Sequence, residues 1–427
     1  MSTEARIRLN QLLSRTAIAS STEQQLVYVL LDIQPEGVPA QLPQLPLNLC
    51  LLIDRSSSMK GERIAQVKAA ALRIVELLGE TDFFSLVVFN DRAEVLAPAM
   101  RVINKQDLRQ IISRIESAGG TEMANGLAMA LQEVQRPLVK QGVSRILMLT
   151  DGRTYGDEGQ CVEIARRAQA RSIGITALGI GTEWNEDLLE TITASENSRA
   201  QYVAQARDVA TIFADEVQQM HAVFAQRVRL TVAGRPGVLI RSLDKVKPFI
   251  APVPIIEEQD LHWVAQLGDW SGSESQSFLV EVVVPPLPIG MHPLLKLQLQ
   301  YDLPAAGVRD QIVDAIVRIN SLAAEDVQYQ VEPTVKHWLE RLVAYRLQAQ
   351  AWQKAEAGEI AAASAHLKMA STRLLSAGQI ALAHMIDAEA AQLSQSGQAS
   401  EEGRKRIKFG TRGLVGPIQY RQIEHEG

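Results

Sequence analysis

Three contrasting stretches predict a multidomain chain: an α/β unit set into an all-β unit, followed by α-helices. From about 46 to 222 short apolar runs alternate with helical patterns, whereas 227–320 carries strand patterns with no long helical one between them. From 325 to 397 the sequence is rich in Ala, Leu and Gln with helical periodicity. A length of 427 residues suits two or three domains.

In the first stretch, the runs 46-PLNLCLLI-53, 83-FFSLVVF-89, 145-RILMLT-150 and 173-IGITALGI-180 have the length and β-branched content of buried strands. In 59–78, Ile64, Val67, Ala71, Ile74, Val75 and Leu78 follow the three-to-four spacing of one buried helix face. Similar stripes lie around 105–117, 122–135, 159–170, 186–194 and 207–222. Such alternation predicts a mostly parallel, doubly wound sheet with helices on both faces. The run 94-EVLAP-98 follows its neighbour so closely that it reads as an antiparallel edge strand.

The flanks differ. Strand patterns at 25–34, 227–233, 261–268, 277–284, 294–301 and 311–319 predict a β-sandwich split between residues 1–45 and 223–322, with the unit 46–222 inserted in it. The helical segment 325–397 divides into helices over 331–357, 359–376 and 378–395, broken at Gly358 and Gly378. Residues 398–427 read as a basic, flexible tail.

Composition narrows the function. The chain is 46% hydrophobic, 22% charged and 5% aromatic, an ordinary globular balance. With 43 Lys and Arg against 49 Asp and Glu it lacks the basic excess of a general nucleic-acid binder. Two cysteines, Cys50 and Cys161, make no disulfide framework and suggest a reducing compartment, with a single bridge between them as the alternative. The start lacks a signal-peptide pattern, and no apolar run reaches the roughly 18 residues of a membrane span. A cytoplasmic location is the expectation.

Three pieces of the α/β stretch carry oxygen ligands: 54-DRSSSM-59 directly after a strand, 119-GGTEM-123 before a helix, and 150-TDG-152 after another strand. In open parallel sheets the loops at strand carboxyl ends converge on one crevice, so these pieces can meet there. Hydroxyls and carboxylates are hard ligands that suit Mg²⁺ rather than a thiolate- or imidazole-preferring ion. Taken singly, each piece has a structural explanation. Ser57 or Ser58 caps a helix beginning near Met59, Thr121 caps the next, and Asp151-Gly152 makes a turn.

Together the pieces resemble the metal-ion-dependent adhesion site of von Willebrand factor A (VWA) domains: D-x-S-x-S as Asp54, Ser56 and Ser58, a distant Thr as Thr121 and a distant Asp as Asp151. The likeness covers roughly 46–222 and implies a doubly wound, Rossmann-like VWA domain. The stretch 179-GIGTEWNEDLLETI-192 is similar to the family's last strand and helix. The resemblance further implies that Ser56 and Ser58 bind Mg²⁺ directly, with Mn²⁺ or Ca²⁺ as alternatives. Thr121 would join when a partner engages, while Asp54 and Asp151 would act mostly through water. The ion stays electrophilic, so an Asp or Glu of a partner protein completes its coordination, with a shift of the last helix as the family's accompanying motion.

Beyond these five residues, Arg153 and Tyr155 follow the Asp151 loop and Trp184 lies on a neighbouring one. All three are candidates for partner contact, with a solvated loop or local packing as the alternative. The seven histidines show no metal-ligand spacing, and no P-loop motif occurs. The basic run 404-RKRIKFGTR-412 would contact an acidic partner or phosphorylated peptide, or dock within the chain. The overall arrangement is similar to bacterial cytosolic proteins with this domain on a β-domain and a helical tail. Association with kinases, phosphatases or phosphopeptide-binding modules follows only from that similarity. The leading expectation is a metal-dependent protein-interaction module in signalling or complex assembly. Two others stay open. A hydrolase using the same ion needs a general base, for which the loops offer Asp54, Glu122 and Asp151 but no His or Lys. In a scaffold, the ion would only stiffen a loop.

Overall fold

The computed structural model describes residues 5–38, 45–137, 142–154, 156–195, 197–259, 261–272 and 274–413. They fall into two units, one of residues 5–38 with 224–413 and the other of residues 45–223. The chain begins with β1 (Arg6–Leu13), β2 (Ala17–Ala19) and β3 (Gln25–Glu36). Of these only β3 has the apolar run that the sequence makes visible. β1 pairs antiparallel with β3, and its exposed Arg6 and Arg8 reach Glu36 at 2.8 and 3.3 Å.

The inserted unit follows. It contains β4 (Leu47–Asp54), α1 (Glu62–Leu77), β5 (Phe83–Phe89), β6 (Ala93–Arg101), α2 (Lys105–Ser113) and α3 (Met123–Gln135). After these come β7 (Val143–Thr150), α4 (Glu158–Gln169), β8 (Gly174–Ile180), α5 (Glu186–Ile192), β9 (Arg199–Val203) and α6 (Val209–His221). The sheet order is β6-β5-β4-β7-β8-β9, parallel except for β6, which pairs antiparallel with β5 at the edge. Every residue of β4 is buried, because a central parallel strand is covered on both faces. The α1 stripe of Val67, Ala71, Ile74 and Val75 packs with Leu49, Leu51 and Ile53 in this core. Strand order reverses between β4 and β7, so their carboxyl ends flank a topological switch point.

One expectation is corrected: 179–192 does not hold the last strand and helix. β9 closes the sheet beside β8, and α6 follows it. β9 is a five-residue edge strand beginning with Arg199, whose guanidinium contacts Glu216 of α6, so it lacks a buried strand's apolar run.

The remaining strands are β10 (Val223–Gly234), β11 (Leu239–Lys247), β12 (Ala251–Pro252), β13 (Ile255–Gln259), β14 (His262–Ser271), β15 (Gln276–Val284), β16 (Gly290–Leu303) and β17 (Val308–Leu322). With β1–β3 they make two sheets, β1-β3-β15-β11-β12 and β13-β14-β10-β16-β17-β2. Each therefore takes strands from both sides of the insertion. The Ile7 N–H donates to the Tyr301 hydroxyl (3.1 Å) and the Gln11 side-chain amide to the Ile316 carbonyl (3.0 Å), tying one sheet to the other.

Four helices complete the description: α7 (Pro333–Glu356), α8 (Ile360–Ser376), α9 (Ile380–Ser396) and α10 (Glu401–Arg412). Glu332 caps α7 by accepting from the Val335 N–H at 2.7 Å, with Pro333 at the first helical position. Gly358 and Gly378 sit at the expected breaks with φ of +79° and +77°, a conformation that favours glycine. Val335 and Leu342 of α7 pack against Leu30, Val246, Ile250 and Leu279 of the first sheet's side, while α7, α8 and α9 share a second apolar cluster. Arg346 adds bonds to Asp244 (2.6 Å) and Ser242 (3.0 Å).

The expectation of a flexible basic tail from 398 is corrected for its first part; 414–427 lie outside the described residues. α10 is amphipathic, and Lys405, Lys408 and Arg412 are buried. The Ile250 N–H donates to the Arg412 carbonyl (2.8 Å) and the Arg412 Nε to the Ile250 carbonyl (3.0 Å). Of the readings open for this run, docking within the chain is the one present. Cys50 and Cys161 are buried free thiols, each pushed up to about 12 chiefly by burial, which disfavours the thiolate.

At the end of the inserted sheet opposite the switch-point loops, Asp82 gathers three elements. Its carboxylate accepts from the Leu47 N–H (2.8 Å) and the Gly79 N–H (2.7 Å) and meets His221 Nε2 at 3.0 Å. Burial pushes this carboxyl up, but the hydrogen bonds from His221, Leu47 and Gly79 outweigh it and hold the group below its ordinary value. A lowered folded-state value stabilises the fold above the ordinary carboxylate range, and the contribution disappears as pH falls through the lowered value. Asp82→Asn is expected to cost about 1–3 kcal/mol at neutral pH. Denaturant titrations should show it narrowing the loss of stability below about pH 4.

Candidate metal-binding site

Asp54 is the last residue of β4 and is fully buried. One carboxylate oxygen accepts from the Ser56 N–H at 2.8 Å, a local turn that suits Asp two residues before its donor. The other accepts from the Thr150 hydroxyl at the end of β7 at 2.7 Å, so the carboxylate bridges the two strands at the switch point. Burial pushes the Asp54 carboxyl up to about 6 against the hydrogen bonds of Ser56 and Thr150, and the Asp151 charge adds to the rise.

Main-chain bonds bring in the second piece. The Ser57 N–H and hydroxyl both donate to the Gly119 carbonyl (3.0 and 2.8 Å), and the Ala118 N–H donates to the Arg55 carbonyl (2.8 Å). Gly119 takes φ +83°, which allows the chain to turn there, and the Gly120 N–H is held by Asp91 at 2.8 Å. The Asp151 loop is fastened to the start of α3 by Thr154, which donates to the Thr121 carbonyl (3.2 Å) and accepts from the Met123 N–H (3.2 Å). Asp157 accepts from the Ala124 N–H at 2.7 Å.

The five expected residues meet. The hydroxyls of Ser56 and Ser58 lie 2.9 Å apart, and Ser58 donates to Asp151 Oδ1 at 2.6 Å. A methyl group built on Gly152 would lie 3.5 Å from Thr121 Oγ1, 3.8 Å from Ser58 Oγ and 3.9 Å from Asp54 Oδ2, so one small space beside the third loop is ringed by oxygens of the other two. None of the hydroxyls serves as a helix cap. The short turn Ser57–Met59 makes no side-chain cap bond, nor do α1, preceded by Gly61, and α3, preceded by Glu122. Among the described residues no cluster of three or more His, Cys, Asp or Glu could hold a metal. A hydroxyl-rich set with only two carboxylates fits a small hard cation such as Mg²⁺ and leaves it short of negative charge.

Of the peripheral candidates, Arg153 is exposed beside Asp151, and Tyr155 lies outside the described residues. Trp184 is corrected: it is buried, donates from its indole to the Gly181 carbonyl at 2.8 Å and packs beside Tyr202, so it offers no partner surface. Its ring fills the space over Gly179. Sequence reading missed Arg63, whose Nη1 lies 2.5 Å from Asp151 Oδ2. The pair is 88 positions apart, and no local pattern announces it.

These features define the class: residues 48–219 form a von Willebrand factor type A domain. Residues 333–417 match a second family, the Sll0103-like C-terminal α-helical domain. The chain is 28% identical over 381 residues to "Uncharacterized protein sll0103" of Synechocystis sp., covering 88% of this chain and 89% of that one. In fold it is similar to a von Willebrand factor type A protein from Catenulispora acidiphila (TM-score 0.77, 16% identity, 97% and 99% of the two chains). It is also similar to the ArnB paralog VWA2 from Sulfolobus acidocaldarius (TM-score 0.59, 13% identity, 96% and 100%). No helix among the described residues is long and apolar enough to cross a membrane.

Because any Cβ at 179 would collide with the indole ring, Gly179→Ala is expected to cost about 1–3 kcal/mol in denaturant unfolding. Combined with Trp184→Leu, the penalty should be smaller than the sum of the two single changes.

Proposed function

We propose that the 45–223 unit is a metal-dependent protein-interaction module that captures an Asp or Glu of a partner protein, in intracellular signalling or complex assembly. VWA domains commonly mediate protein–protein interaction. The observation that supports this reading most is the ring of oxygens from Thr121, Ser58 and Asp54 around one small space beside Gly152, with hydroxyls not engaged as caps. Asp54, Ser56, Ser58, Thr121 and Asp151 would hold Mg²⁺, with Mn²⁺ or Ca²⁺ as substitutes. Bound there, the ion supplies an electrophilic centre for a carboxylate.

The chain's own residues set up that role. Asp54, shared between Ser56 and Thr150, fixes the ends of β4 and β7. Ser57 and Gly119 lock the first two loops together, and Gly152, having no side chain, keeps the space open. Arg153 is exposed two residues beyond Asp151, and a guanidinium there would favour an acidic partner. No histidine or lysine belongs to the oxygen ring, and we read the site as a binding device rather than one for turnover.

Mg²⁺ should raise the unfolding temperature of the native chain, by about 2.7 kcal/mol of stability at a hundredfold excess over its dissociation constant. Asp54→Ala and Ser56→Ala should abolish the rise. Partner capture from the native cell should occur with Mg²⁺, stop with EDTA and fail in Asp54→Ala. Capture that is indifferent to both treatments would refute the metal mechanism.

A further inference from the structure

Arg63 stands in the first turn of α1, where a cation opposes the helix dipole. Its position is therefore not explained by helix stability. What holds it is Asp151, a carboxylate with no solvent exposure, at 2.5 Å, with a weaker contact to the Ser58 carbonyl at 3.4 Å. The remaining Asp151 oxygen accepts from Ser58. On its far side the guanidinium borders Gly181, where an added Cβ would lie 3.5 Å from Nη2. Arg63 is thus seated among the same strand-end loops that carry the oxygen ring.

Charge accounting gives this position its meaning. Asp54 and Asp151 carry two negative charges, which one divalent ion balances. Arg63 leaves a positive charge over. A like charge so close disfavours the incoming ion, while a filled site with a net positive charge attracts an anionic guest more strongly than a neutral one. Arg63 is also the kind of partner a buried carboxylate needs when no other cation neutralises it.

We propose that Arg63 is a built-in second cation of this site: it neutralises Asp151 in the ion-free protein, weakens divalent-ion binding, and strengthens capture of a carboxylate once the ion is held. This rests on the metal reading above and adds a trade-off to it, looser ion binding against tighter guest binding. Arg63 acts on the ion through Asp151 and is a positioning and tuning residue rather than a ligand.

The test uses the full chain and its Arg63→Gln and Arg63→Lys variants. Mg²⁺ is titrated calorimetrically with and without saturating acetate, the smallest carboxylate, and unfolding temperature is followed in EDTA and in Mg²⁺. Arg63→Gln should bind Mg²⁺ about tenfold more tightly, about 1.4 kcal/mol. It should also melt lower than the native chain in EDTA and recover in Mg²⁺. Acetate should tighten Mg²⁺ binding to the native chain, as linkage requires, and do so severalfold less in Arg63→Gln. Arg63→Lys, keeping the charge, should stay close to the native chain in both. If Arg63→Gln binds Mg²⁺ equally or more weakly, or shows unchanged acetate coupling, the inference is wrong while the metal reading stands. Absence of Mg²⁺ binding by the native chain overturns both.

Discussion

The Asp54 carboxylate is the contact on which the site's geometry depends. It joins a main-chain donor two residues ahead to the hydroxyl of Thr150 on the adjacent strand, and it does so without solvent. A buried carboxylate is tolerated only where donors surround it. The requirement fixes the course of both loops at once. The chain after β4 must turn to present the Ser56 amide, and β7 must end with its hydroxyl facing β4. Ser58 and Asp151 are then carried into contact, and the Gly119 loop is zipped on from the side.

The all-β unit is stabilised differently. Its two sheets receive strands from either side of the insertion, and α7 covers part of one of them with Val335 and Leu342. The Arg346 links to Asp244 and Ser242 give that packing a polar counterpart. α10 returns to the same neighbourhood through Arg412 and Ile250, so part of this basic segment serves internal structure.

Legibility in the sequence followed physical environment. β4, β5 and β8 are readable because strands covered on both faces are mostly apolar, with few polar interruptions. β1 is not, since an edge strand with Arg6 and Arg8 facing water has only half of that signal, and β9 is too short to show one. α10 was hidden because charged side chains are ordinarily solvated, whereas Lys405, Lys408 and Arg412 are not. The five oxygen-bearing residues are legible only as a set: each piece adjoins a strand or helix end, where a crevice forms, but singly reads as a cap or a turn, and it is their joint resemblance to the adhesion site that picks them out. Arg63 is not announced because its contact joins the first turn of α1 to a loop 88 positions away. For Trp184 the sequence leaves partner contact and local packing both open, and only the bare α-carbon of Gly179 beneath its ring decides for packing.

The insertion also dictates an order of events during synthesis. β4 through α6 are consecutive, so the α/β unit has all its strands once about residue 221 has been made. β3, by contrast, was translated long before and must wait for residues 276–284, its second neighbour in the sheet. Until those residues leave the ribosome, the β1–β3 hairpin has one open flank, and two strands alone are marginal in water. Closing that gap is entropically cheaper when the intervening stretch has already condensed into a compact body, because a folded insert shortens the effective loop. A middle segment that condenses early shortens the path by which the two ends of its host find each other.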